Sequence, residues 1–272
     1  MTDLVIRRLL IDMEAPIARH WCGNDAFRTA LLNAMSMSFP CGEQFFIDTV
    51  RASLKEISAD AQDSWRDEVQ AFIGQEATHR RLHLLFNQHL QTQGLVNQWE
   101  PRAQKRIDAT REIGPRNALA ITAAHEHFTA ILAEWILRNP DLIDGGDERL
   151  NMFWLWHSAE ECEHRSTAFN LYTALGGDHE RRLTWFRRST FFFLRDLFSQ
   201  TVLNLRHDGT LWKWSTCKSA GSFLFGRRGV FRQTWQPWRE YLRRGFHPSQ
   251  LHSTASQRWL QDNQASWQAL AT

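Results

Sequence analysis

The sequence predicts an all-α protein: a four-helix bundle followed by a helical extension rich in Trp and Arg. Three observations predict it. Helical periodicity dominates the 272 residues and strand signals are scarce. Proline and glycine punctuate the chain at intervals that suit helical hairpins. Finally, one pattern occurs twice: a lone Glu, then Glu-x-x-His. Glu43 precedes Glu76-Ala77-Thr78-His79 by 33 residues, and Glu126 precedes Glu161-Cys162-Glu163-His164 by 35.

The elements follow in order. Residues 25–57 read as one helix, interrupted near Pro40 and Gly42, because proline removes a helical hydrogen bond. Residues 60–93 form a second helix, closed by Gly94. A polar connector with a short helix (98–113) ends at Gly114-Pro115. The third bundle helix spans 116–138 and stops before Asn139-Pro140. A turn-rich loop, 141–147, leads to the fourth helix, 148–175, which ends at Gly176-Gly177. A fifth, aromatic helix covers 180–206, and 207–248 is rich in Trp, Arg, Gly and Pro without a clear period. This divides the chain into a bundle, 1–177, and a basic aromatic extension, 178–272, packed on it.

Charge is divided the same way. The net charge of +2 conceals 17 Lys and Arg against 26 Asp and Glu in residues 1–180, and 15 against 3 in residues 181–258. Docking of the basic extension on the acidic bundle is the simplest reading. Arg and Trp beside Phe also suit a peripheral membrane contact. No nucleic-acid motif accompanies the charge, so no nucleic-acid partner is expected. Four scattered cysteines with no C-x-x-C pair fit a reducing cytosol rather than a disulfide framework. No secretory signal and no spanning apolar run is visible, which places the protein in the cytoplasm, in solution or against a membrane.

The repeated pattern carries the chemistry. Two Glu-x-x-His matches mean little alone; the matched lone Glu upstream of each is what chance does not readily supply. At about 1.5 Å rise per residue, 33 to 35 residues make two helices and a turn, which returns each lone Glu level with its motif. Positions i and i+3 share a helix face. Glu43, Glu76, His79, Glu126, Glu161 and His164 thus form the ligand set of a ferritin-like, di-metal carboxylate bundle. Four buried carboxylates must protonate or be neutralised, and two divalent ions would match them. Carboxylate and imidazole donors suit two iron ions, with manganese as an alternative; the lack of thiolates disfavours zinc. His157 lies four residues before Glu161 and is expected as a seventh ligand, on the side of Glu126 and His164. His83, one turn beyond His79, and His125, beside Glu126, are expected as supporting groups or extra ligands, and His127 as structural. Glu160 competes with Glu161 for the inward position, and Glu163 points away, to solvent or a salt bridge.

Phe39-Pro40-Cys41-Gly42-Glu43, Gly74-Gln75-Glu76-Ala77-Thr78-His79 and Trp156 through His164 resemble the bacterial family of predicted metal-dependent hydrolases, as does Gly245-Phe246-His247-Pro248 near the end. The resemblance spans nearly the whole chain. The ligand pattern also resembles that of di-iron arylamine N-oxygenases, in which a His at the position of His157 binds iron. A radical-generating reductase subunit is disfavoured, because His83 stands where that family has its Tyr. The leading expectation is a non-haem di-iron oxidase or oxygenase, activating O2 on a small-molecule substrate with an electron donor as partner. The alternatives are a two-metal hydrolase using a metal-bound hydroxide, and a metal-binding protein without catalysis.

Overall fold

Aspartate side chains fix where three of the long helices begin. Asp25 accepts from the Arg28 backbone N–H at the start of α1 (Ala26–Leu54), Asp147 from Arg149 at the start of α5 (Glu148–His164), and Asp178 from Arg181 at the start of α7 (His179–His207). The remaining helices are α2 (Ala59–Thr92), α3 (Trp99–Thr110), α4 (Pro115–Arg138), α6 (Thr167–Ala174), α8 (Trp214–Phe225), α9 (Val230–Glu240) and α10 (Thr254–Asp262). The structure, a computed structural model, describes residues 4–110, 112–251 and 254–270. It is an all-helical bundle with one small addition. Strand β1 (Arg7–Leu9) pairs antiparallel with β2 (Trp267–Ala269), joining the two ends of the chain.

Three expectations are corrected. The helix over Pro40 is not interrupted: α1 runs unbroken from 26 to 54. Pro40 cannot bond the Ser36 carbonyl, but Asn87 Nδ2 on α2 donates to that oxygen at 2.9 Å and replaces the missing partner. The helix expected over 148–175 is two helices, α5 and α6, with a break at Arg165 and Ser166. The strands were not legible, because three residues are too few to show a period-two pattern.

Two apolar clusters fill the interior. One gathers Trp21, Phe86, Phe153, Trp154 and Trp156; the other gathers Phe46, Phe72, Phe128, Phe186 and Tyr241. The basic stretch contributes to both, through Leu205 and Phe223 in the first and Phe186 and Tyr241 in the second. α7 lies against α1 and α4. Its buried Asp196 takes Arg102 and Arg106 of α3, and its Gln200 accepts the backbone N–H groups of Gln98 and Trp99 where α3 begins. The exposed length of α8 and α9 has no counterpart in the sequence expectation. Gly74 lets β1 lie close on α2: a Cβ there would meet Ile6 Cδ1 at 2.2 Å.

Replacing Asn87 by Ala should strand the Ser36 carbonyl and loosen its hydroxyl. Thermal or denaturant unfolding should show a loss of about 1–3 kcal/mol, the cost of a buried unsatisfied group. Unchanged stability would mean that α1 closes over Pro40 without help.

Candidate metal centre

α1, α2, α4 and α5 converge on one buried space, and each contributes the side chains its spacing promised. Glu43 comes from α1; Glu76, His79 and His83 from α2; Glu126 from α4; and His157, Glu161 and His164 from α5. All are buried, none more than 5% exposed. Four groups of three offer ligand atoms within 4.8 Å of one another: Glu43–Glu76–His79, Glu76–Glu161–His164, His79–His157–Glu161 and Glu43–His83–His157. Glu76 belongs to the first two groups, and so joins them. Glu126 approaches from the far side, its Oε2 3.4 Å from His164 Nε2.

The arrangement departs from the expected one at His157. Its Nε2 lies 2.9 Å from Glu161 Oε1 and 4.0 Å from Glu43 Oε1, so it belongs with Glu43 and His79 rather than with Glu126 and His164. His157 sits one turn nearer the N-terminus of α5 than Glu161, and that turn carries it toward the Glu43 end. The competition between Glu160 and Glu161 is also resolved in space. Glu161 faces the cluster, whereas Glu160 turns to His79 Nε2 at 2.9 Å and Arg7 at 3.1 Å. His125 stands outside the cluster, bonded through Nδ1 to the Ile121 carbonyl. His127 bonds the Pro237 carbonyl and packs on Tyr241, a structural place.

Burial dominates the electrostatics, and neighbouring charges add to it or oppose it. Burial, then the neighbouring Glu76 and Glu161 charges, push the Glu43 carboxyl well above its ordinary range. Burial raises Glu76 and, more strongly, Glu126. Burial also acts on Glu161, but His164 and His157 outweigh it and hold this carboxyl well below the usual value. Burial alone would lower His79, yet its bond to Glu160 and the nearby Glu161 carboxylate raise it to about 9. His164 is likewise raised, against burial, by Glu126 and Glu161. Burial and the neighbouring His79 lower His157 to about 4, and burial with His157 lowers His83 further.

Three chains of hydrogen bonds aim the imidazoles, and the sequence did not reveal them. In the first, Ser36 Oγ donates to Asn87 Oδ1 at 2.8 Å. The Ser36 hydroxyl therefore accepts from His83 Nδ1–H at 2.8 Å, which leaves His83 Nε2 to accept from His157 Nδ1–H at 2.8 Å. This direction points His157 Nε2 at the cluster, 2.9 Å from Glu161 Oε1, a contact that requires a shared proton or a cation between the two atoms. This direction also makes His83 a support for His157. In the second, Glu160 accepts from His79 Nε2–H and turns His79 Nδ1 inward. In the third, Gln75 Oε1 accepts from His164 Nδ1–H at 3.0 Å, while Gln75 Nε2 donates to Glu163 Oε2 at 3.0 Å. The second and third chains meet at Arg7 of β1, which donates to Glu160 and, with both terminal nitrogens, to Glu163. Glu163 is therefore salt-bridged, the second of the two fates expected for it. Arg7 lies far from the motifs in sequence, so no spacing could have marked it.

The residues fit a metal pair. Both oxygens of Glu43, Glu76 and Glu126, Glu161 Oε2, His79 Nδ1 and His164 Nε2 are buried without a hydrogen-bond partner, and they belong to this one cluster. Such a set of orphaned acceptors is costly unless cations or protons occupy the space between them. An imidazole held by a carboxylate at its other nitrogen is a typical support for a metal ligand. Beside the cluster is an apolar cavity of about 480 Å³, walled by Phe39, Gly42, Phe46, His125, Phe128 and Phe193 among others. Phe39 is the partition: its ring centre is 5.0 Å from that of His157.

The family described as predicted metal-dependent hydrolase matches residues 5–252. The chain belongs to that family. No curated protein and no solved structure matches it. The stretch shared with the metal-dependent hydrolase family takes in Arg7 and the whole cluster, and stops short of β2. The family fixes neither the metal nor the substrate.

Two outcomes test the centre of this metal-dependent hydrolase family member. Arg7→Met should release Glu160 and Glu163 together and weaken metal binding about 10- to 100-fold, the usual cost of losing ligand support. A competition titration with a chromophoric chelator measures it, and unchanged affinity would remove Arg7 from the centre. The second outcome is a pH dependence. His79 is raised from an ordinary 6.5 to about 9, so its contribution to metal-free stability is complete below about pH 6.5 and lost as pH rises through about 9. Melting temperature of the chelator-treated protein should fall across that window, and that of the metal-loaded protein should not. Parallel curves would show that protons and metal do not compete at His79.

Proposed function

We propose that the protein is a two-metal hydrolase of an uncharged, largely apolar substrate. The observation that carries this reading is the pair of carboxylate–imidazole groups joined at Glu76, set beside an apolar cavity. Glu43, Glu76, His79 and His157 would hold one cation, and Glu76, Glu126, Glu161 and His164 the other. Two divalent cations so held would polarise an acyl or phosphoryl oxygen and bring the pKa of a bound water toward neutrality. The family description favours this chemistry over oxidation.

The chain supplies the rest. Gly42 lines the cavity next to Glu43, and a Cβ there would be 3.8 Å from the Phe46 ring, so a glycine keeps room at the inner end. Phe39, Phe45, Phe46 and Phe128 line a space that excludes water and suits an apolar group. His125 is the polar residue best placed to move a proton there. It lines the cavity, its Nδ1–H donates to Ile121, and burial lowers its pKa so that Nε2 stays unprotonated.

A second reading rests on a different observation. A third imidazole, His157, combined with almost complete burial favours oxidation of an apolar substrate by a di-iron pair and O2.

Elemental analysis and a substrate screen separate the two. Purified protein should hold about two metals per chain, the number that balances four carboxylates. It should cleave apolar esters or amides without consuming O2. Glu76→Ala should abolish metal and turnover together. His125→Gln should keep the metal while lowering turnover about 100-fold or more, within the range for a lost general base. Iron with substrate-dependent O2 uptake and no hydrolysis would replace the first reading with the second.

A further inference from the structure

No helix of the described residues is long and apolar enough to cross a membrane, yet the basic stretch is unusually aromatic at its surface. Among the described residues, every exposed Phe or Trp lies between Phe191 and Trp235. Trp212, in the turn before α8, and Trp214, its first residue, are 86% and 81% exposed; Phe198 on α7 is 71% exposed and Phe225, at the end of α8, 66%. Phe191, Leu194 and Phe198 fall at i, i+3 and i+7, one stripe along α7. Phe231 and Trp235 fall at i and i+4 on α9. A protein that stays free in water rarely presents so much unshielded apolar surface.

The same stretch is basic. Residues 187–239 hold ten Lys and Arg against two Asp. Both acids are already occupied, Asp196 by Arg102 and Arg106, and Asp208 by Arg19 and His20. Arg195, Arg206, Lys213, Lys218, Arg227 and Arg232 are exposed, and among the described residues none of them makes an ion pair.

A second cavity, about 630 Å³, opens among these groups. Leu194, Phe225, Phe231 and Trp235 are at once its walls and exposed surface. Phe128 and Phe193 line this cavity and also the one beside the metal cluster. Phe128 and Phe193 thus form the wall between the two cavities, and Phe39 lines the first of them beside His157.

We propose that α7, the α7–α8 turn and α9 dock on an anionic lipid bilayer, with the aromatic side chains inserted at the headgroup level and the second cavity open toward the acyl chains. Aromatic side chains that enter an interface and unpaired Arg and Lys that meet anionic headgroups are the two attractions such docking needs. A second copy of the chain meeting this face symmetrically would press two basic surfaces together. A polynucleotide would satisfy the charge but leave the apolar cavity mouth without an occupant. Docking stands on the surface alone. That the bilayer also supplies the substrate, a membrane-dissolved apolar molecule, rests on the proposed function.

Co-sedimentation of the full-length, metal-loaded protein with vesicles tests the docking. The protein should pellet with phosphatidylcholine–phosphatidylglycerol vesicles far more than with phosphatidylcholine alone, and added salt should weaken it. The double variant Trp212→Ser, Trp235→Ser, altered only at exposed positions, should bind at least about tenfold more weakly, since each large apolar group gained favourable burial. Arg195→Ser and Arg232→Ser should each cost about fivefold and reduce the salt dependence. Glu76→Ala should pellet like the parent, so that failed docking and failed hydrolysis are separate results. No pelleting at low salt overturns the proposal. So does binding to single-stranded polynucleotide in place of vesicles, or a concentration-dependent dimer by ultracentrifugation without vesicle binding. Unchanged vesicle binding by the double Trp variant overturns the insertion of the aromatics.

Discussion

The burial of Glu43, Glu76, Glu126 and Glu161 together in one space is the constraint on which the rest depends. Four carboxyl groups share a space closed to water, and their charges cannot be dispersed by solvent. Without cations, the fold answers with protons: Glu43, Glu76 and Glu126 are pushed toward the neutral acid, while His79 and His164 are held as cations. Glu161, ringed by His79, His157 and His164, is the carboxyl that stays ionised. With cations in place the protons would leave, so metal binding and pH are coupled through the same atoms. Such an arrangement contributes little to stability by itself and makes sense as a place to hold charge.

Holding it requires that the imidazoles face inward with the correct nitrogen unprotonated. Backbone geometry explains how this is done from outside the motifs. Pro40 frees the Ser36 carbonyl; Asn87 takes that carbonyl and, with its amide so oriented, presents Oδ1 to the Ser36 hydroxyl. The hydroxyl then fixes His83, and His83 fixes His157. A residue that breaks a helical hydrogen bond thus sets a tautomer two side chains away. On the other flank, Arg7 does for His79 and His164 what Asn87 does for His157. It is buried, and stacks under Trp267 of the opposite strand at 4.9 Å. The small sheet that joins the chain ends serves to bring one guanidinium to the metal centre.

This explains which parts were legible in the sequence. The all-helical class and the ends of most helices followed from period and punctuation, because caps and glycines act locally. The cluster followed from the spacing of Glu43, Glu76, Glu126 and Glu161, because helical hairpins of equal length bring equal offsets together. Glu160 and Glu161 could not be separated, since a difference of one residue is about 100° on a helix whose rotation was unknown. The side of the cluster on which His157 falls depends on how α5 is tilted against α1, which no single-helix argument contains. Arg7, Gln75, Ser36 and Asn87 act through contacts between distant elements and carry no motif. α8 and α9 were hidden because they are short, 12 and 11 residues, and because Gly226 and Gly229 between them and Pro237 inside α9 read as breaks.

The two halves of the chain therefore deal with opposite problems in solvation. The first four long helices enclose charge, and they supply the polar and titratable groups of the centre. α7, α8 and α9 bury Asp196 and Arg182 away from the centre; they wall the two cavities with Phe and Trp and turn more of the same outward. The two regions meet at Phe39, Phe128 and Phe193: Phe128 and Phe193 wall both cavities, and Phe39 stands between the first cavity and His157. A ring can rotate aside at far lower cost than a helix can move, so access to the cluster need not open the bundle. The bundle would then stay closed around its charges while an apolar molecule reaches them from the side. That division of labour accounts for a basic, aromatic extension attached to an acidic bundle better than packing against the bundle alone, because packing would give the tryptophans no reason to face outward.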